Sequence, residues 1–178
     1  MLRVVNESTT RCSAPLTDFH RHRRSLEATW KYLLICSVGI ALALIGNILL
    51  DVSMQTQGHM VTDMSIGALT LEAANVHPAW FKAAFVFLLV GYGTKMGISP
   101  MHTWLPDAHS EAPSLVSALL SGALLNCAFL GVFRAHEVAV AAGLADFASI
   151  LLMGFGFLSM LTAALFIVNL GDFKRMLA

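Results

Sequence analysis

Charge is what this chain has least of. Among its 178 residues only 12% are Asp, Glu, Lys or Arg, while 57% are apolar, and the mean hydropathy is +0.71. So little charge cannot clothe a water-soluble domain, and the composition points to lipid as the solvent. The formal net charge is zero, which excludes a basic nucleic-acid-binding surface. Cysteine is scarce too: there are three, with Cys36 and Cys127 inside apolar runs and Cys12 alone near the start. They make neither a disulfide framework nor a zinc spacing. Also absent are a cleavable secretory signal, a repeat of fixed period and any low-complexity tract.

What the chain does have is long apolar runs, each close to the roughly 20 residues needed to cross a hydrocarbon core. Four are expected to span: residues 32–50, 80–109 with its apolar part at 80–98, 114–134, and 147–170. The fold class is therefore all-α and integral to a membrane. Residues 1–31 form a polar, basic flank that reads either as a cytoplasmic flank or as an organelle presequence. Residues 51–79 and 135–146 are expected to be loops, the first with a short helix near 64–74, and residues 171–178 a cytoplasmic end. Eight of the eleven basic residues flank the first and last spans (Arg3, Arg11, Arg21, Arg23, Arg24, Lys31, Lys174 and Arg175), against Lys82 and Arg134 on the other side. The positive-inside rule then places both ends of the chain in the cytoplasm or an equivalent compartment.

One stretch breaks the apolar pattern. GYGTKMGISPMHTWLPDAHSEAP, residues 91–113, sets a lysine, two histidines, two acids and three prolines between two spans. Lys95 lies 15 residues beyond Trp80, roughly 22 Å along a helix at 1.5 Å per residue. Its ammonium either snorkels to the interface or stays buried. Burial is favoured by Gly91, Gly93 and Gly97, which loosen the helix, and by Pro100, which clashes with the Met96 carbonyl and should break the ladder one turn later. Carbonyls freed at that depth need protein or water, so the break implies a hydrated pocket in which a lysine can take up and release protons.

His102 and His109 are two helical turns apart, and on a continuous helix they share a face. They read either as a proton relay or as interfacial histidines that cap and orient a helix. A metal site is not expected, because the spacing offers only Asp107 as a third ligand. Asp107 and Glu111 support the entry to the third span, where Ser110 and Pro113 make a plausible helix start. Trp104 reads as an interfacial aromatic. In the third span Ser114, Ala118, Gly122 and Asn126 recur every fourth residue, a face that lets a neighbouring helix approach and lets Asn126 hydrogen-bond across.

KMGISPMHTWLPDAHSEAP followed by SALLSGALLNCAFLGVFR resembles the antiporter-like proton-conducting membrane subunits of respiratory complex I, Mrp-type antiporters and group 4 membrane-bound hydrogenases. The wording around SEAPSLVSALLSGALLN, SLEATWKYLLICSVGIALALIGN and DFKRMLA looks most like the hydrogenase-4 branch, and the resemblance covers about residues 17–178. It implies a larger bundle of inverted helical repeats in which these spans match the sixth to ninth helices, the second of them discontinuous. It further implies that Lys95 is the central proton carrier and that HTWLPDAH is the short second half of the broken helix.

A second lysine, common in the family 31 residues after the first, is replaced here by Asn126, whose amide can carry a water chain but no titrating proton. The glutamate that the family's fifth helix sets against the lysine is missing. The chain is therefore expected to be a fragment of a proton-translocating subunit, with Lys95, His102, His109 and Asn126 along a hydrated route. Its expected partners are other membrane subunits, a peripheral redox module, protons or sodium ions, and the bilayer of a prokaryotic cell membrane. No cofactor is expected in the chain itself, which has no thiolate cluster and no Gly-rich nucleotide loop. The alternatives are a structural four-helix membrane protein or assembly subunit without transport and, third, an intramembrane hydrolase using His102, Asp107 and Ser110.

Overall fold

A computed structural model describes residues 23–55, 66–71, 73 and 76–169. The basic residues expected to anchor the two ends fall mostly outside these, as does Cys12. Within them the chain is helical throughout: α1 (Arg23–Gln55), α2 (Ile66–Leu71), α3 (Pro78–Met96), a 3₁₀ turn (Met101–Thr103), α4 (Trp104–Glu111), α5 (Ser114–Ala141) and α6 (Ala145–Asn169). Among the described residues four stretches are long and apolar enough to cross a membrane: Leu26–Gln55, Pro78–Glu111, Ser114–Ala141 and Ala145–Val168. The protein is an integral, multi-pass membrane protein.

The central helix is α3, with α1 along one side and α5 on another. The buried face of α1 runs Ala28, Tyr32, Cys36, Gly39, Ala43, Gly46, Leu50, Ser53, a spacing of three and four that forms one stripe on a helix. Its small residues set the distance to α3. A Cβ added at Gly91 would lie 2.4 Å from the Ala43 amide nitrogen, and one at Gly46 would lie 2.8 Å from that of Leu88. Where apolar burial gives no drive against lipid, such close backbone contact is a principal source of helix association. Gly91 is thus a packing glycine of the helix pair and not the loosening element its neighbourhood suggests.

Several helix ends differ from the expected ones, and the first helix already begins at Arg23, inside the stretch expected to be a polar flank. The third span continues as helix to Ala141, past Arg134, because Arg134 pairs with Glu137 at 2.9 Å one turn on and no glycine intervenes until Gly143, where φ is +71°. A short π turn at Leu120–Leu124 interrupts its regular winding. The first helix likewise runs on to Gln55, whose amide donates to Asp51 within the same helix.

The small-residue stripe of α5 also lies elsewhere than expected. Val116, Leu120, Leu124 and Ala128 are buried, whereas Ser114, Ala118, Gly122 and Asn126 are exposed. Apolar bulk, available on the opposite side of the helix, fills the contact inside this chain. Asn126 donates to the Gly122 carbonyl of its own helix at 2.7 Å instead of reaching across.

Candidate functional site

The last turn of α3 carries Lys95, and it ends in a glycine C-cap. Gly97 takes φ +82°, its amide and that of Ile98 both donate to the Gly93 carbonyl, and the Ile98 side chain lies over Gly93. This is a Schellman ending, which needs a residue tolerant of the left-handed region. The helix therefore stops at Gly97, three residues before Pro100, and the proline is not what ends it. Gly93 and Gly97 build the break, and Pro100 sits in the turn beyond, preceding the 3₁₀ turn as its exposed N-cap.

One carbonyl released here, that of Thr94, finds its partner in the protein. The Trp104 indole N–H donates to the Thr94 carbonyl at 2.8 Å, and the Thr94 hydroxyl donates to the Val90 carbonyl at 2.7 Å. On the far side of the turn the Ser99 amide donates to Ser159 Oγ of α6 at 3.1 Å. Expectation at this point differs from structure because side chains from α4 and α6 reach the break, and sequence spacing does not show them.

Lys95 is fully buried. Its Nζ donates to Tyr32 Oη at 3.5 Å, the long edge of hydrogen bonding, and lies 5.2 Å from the centroid of the Tyr32 ring. Cys36, one turn further along α1, is also buried. Trp104 is completely buried against Tyr32, ring centroids 5.1 Å apart. It is a core residue, not an interfacial one, because the short helix α4 folds back onto α1 and carries it inward.

The remaining candidates spread around this centre. His109 is buried, and its Nδ1 pairs with Ser117 Oγ of α5 across the Ala112–Pro113 bend. His102 instead meets the Phe166 ring of α6 at 5.6 Å. The two imidazoles therefore meet different helices, His102 meeting α6 and His109 meeting α5. Glu111 is half-buried at the end of α4. Asn126 is not brought to Lys95.

Asp107 accepts from Lys31 Nζ at 3.0 Å, and Lys31 also pairs with Glu27 at 2.7 Å. This pair ties α4 to α1 one residue before Tyr32. With Lys31 44% and Asp107 21% exposed, the pair is screened by solvent and its contribution is small. Asp107→Asn is accordingly expected to lower the melting midpoint of the detergent-solubilised chain slightly, and the difference from the parent should shrink as salt is raised. Equal midpoints at low salt would show that the pair does not stabilise the fold.

Tyr32, Cys36, Trp104 and Ser159 are the residues that sequence reasoning missed. The signal available for the first two was the three-and-four spacing of small and medium side chains along α1.

A buried lysine at the interruption of a membrane helix, held by a second short helix folded back on the bundle, defines a class of polytopic membrane proteins with a discontinuous helix at mid-bundle. Over residues 4–178 the chain matches the NADH:quinone oxidoreductase/Mrp antiporter transmembrane family, and it belongs to that family. It is 40% identical over 98% of its length to the hydrogenase-4 component F homolog of Methylacidiphilum infernorum, covering 37% of that protein. It is 31% identical over 88% of its length to hydrogenase-4 component B of Escherichia coli, covering 22% of it. Against NADH-quinone oxidoreductase subunit N of Deinococcus radiodurans it is 34% identical over 72% of its length and covers 25%. The chain thus spans little more than a third of the length of the first of these relatives and about a quarter of the other two.

Proposed function

We propose that the chain is the part of an antiporter-like subunit that contains its proton-exchanging lysine, and that it works within a membrane-bound respiratory or hydrogenase complex whose redox reactions take place in other subunits. The observation that carries this reading is Lys95: a fully buried cation at the end of an interrupted membrane helix, in a family named for NADH:quinone oxidoreductases and Mrp antiporters. Burial of this kind is costly and marks ion pathways far more often than it serves packing. His102 and His109 follow the interruption and would line the route to and from the lysine. Asn126, on the outward face of α5, would serve it only where a further helix covers that face. Coupling is to protons, with sodium ions the other cation such a route could carry. In a prokaryotic cell membrane the flanking basic residues would orient both ends of this segment to the cytoplasm.

The reading is tested in vesicles holding the complete complex, energised through its redox module, by following proton uptake with and without sodium. Redox turnover with no ion uptake would sink it. The rival reading, a structural lysine that snorkels, predicts labelling of Lys95 by a membrane-impermeant amine reagent. Full burial of Lys95 predicts protection.

A further inference from the structure

Tyr32 occupies a closed circuit of contacts. Trp104 donates to the carbonyl of Thr94, the residue before Lys95, while the Trp104 ring packs on Tyr32 and the Tyr32 ring and hydroxyl meet the Lys95 ammonium. Two consecutive residues of α3 are therefore tied to one aromatic pair contributed by α4 and α1. The circuit is fixed from outside as well, since Lys31, the neighbour of Tyr32 on α1, is paired to Asp107 of α4. Tyr32 itself is 1% exposed, and being locked between a tryptophan and a lysine it has no room to change rotamer without moving one of them.

We propose that Tyr32 is the positioning residue of the proton-exchanging lysine: the Lys95 ammonium lies at the hydroxyl end of the ring and the hydroxyl accepts from it, so that the amine is held at one place at the helix break. The chemistry suits the task. A phenol meets an ammonium without the fixed countercharge that would trap it, and its oxygen can accept from the charged form and donate to the neutral amine. Tyr32 can thus follow Lys95 through both protonation states by rotating one O–H bond. A carboxylate in the same place would hold the charged form alone.

The inference rests on Lys95 being the exchanging group, and the test separates the two. Vesicles of the complete complex are prepared with the parental chain, Tyr32→Phe, Tyr32→Leu and Lys95→Met, and protons taken up per electron pair are measured alongside electron flux, with assembly read on a native gel. Phe keeps the ring and loses the hydroxyl, whereas Leu loses both.

The expected order of coupling is parent, then Tyr32→Phe, then Tyr32→Leu, with the Phe variant already down about tenfold, the size of effect expected when a hydrogen bond to a charged group is lost, and the Leu variant lower still. A purely structural tyrosine would change assembly and leave the ratio in assembled complexes alone. Parental coupling in Tyr32→Leu, with Lys95→Met inactive, would overturn the assignment while leaving the role of Lys95 intact. Parental coupling in Lys95→Met would overturn the underlying reading instead. Should the Leu variant fail to assemble, Tyr32→Phe decides alone, since it differs by one oxygen atom: parental coupling would overturn the proposal.

Discussion

Lys95→Met is expected to abolish redox-driven proton uptake while the complex still assembles. Methionine keeps the length and apolar stem of lysine and deletes only the charge, and the space it would fill is already shaped by Tyr32, Cys36 and Trp104. Removing a buried cation also removes its desolvation cost, so the variant chain should be no less stable than its parent. Lys95→Arg is expected to be inactive for the opposite reason, because a guanidinium keeps its charge and cannot release it. It should disturb packing as well, since a planar fork does not fit the place of a compact ammonium against the Tyr32 ring. The measurement is proton uptake by vesicles at matched electron flux. A methionine variant that assembles and translocates at the parental rate would make Lys95 a structural residue.

How far this arrangement was legible beforehand differs from element to element. The membrane helices were readable because run length against bilayer thickness is nearly sufficient by itself. The interruption after Lys95 was also readable from Gly93, Gly97 and Pro100 together, although the sequence does not say which of them ends the helix. Proline advertises a helix end loudly in sequence, while Gly97 ends this helix quietly through its φ of +82°. The third helix runs on past Arg134, since an isolated charge looks like an interface until its partner Glu137 is recognised one turn on.

Tyr32 illustrates what no local pattern holds. It is separated from Lys95 by 63 residues, and which of several α1 residues meets the lysine depends on the rotation and register of two helices. Those are decided by Gly39, Ala43 and Gly46 against Leu88, Gly91 and Thr94. Likewise the stripe of Ser114, Ala118, Gly122 and Asn126 correctly marked one face of α5, but only the tertiary arrangement shows that it is the outward face.

Gly91→Leu is expected to separate α1 from α3 and to prevent assembly of the complex, and Gly91→Ala should already weaken the pair. A single added Cβ would sit 2.4 Å from the nitrogen, 2.7 Å from the Cα and 2.7 Å from the Cβ of Ala43. Two of those three atoms are backbone, so no side-chain rotation relieves the clash and the helices must part. Overpacking of this kind costs about 1–3 kcal/mol even where the surroundings yield. The damage should propagate to the lysine, because Gly39 packs on Thr94 in the same contact, its would-be Cβ 2.9 Å from that of Thr94, and Thr94 precedes Lys95.

Gly122→Ala supplies the control. A Cβ there meets nothing within 4 Å, and replacing a helical glycine by alanine gains about 1 kcal/mol of helix propensity, so this variant should melt at or above the parental midpoint. Thermal midpoints in detergent, read from tryptophan fluorescence for the parent, Gly91→Ala, Gly91→Leu and Gly122→Ala, should fall in the order that these distances set. If Gly91→Ala and Gly122→Ala melt together, α1 and α3 do not meet at Gly91, and the register that brings Tyr32 to Lys95 is wrong with it.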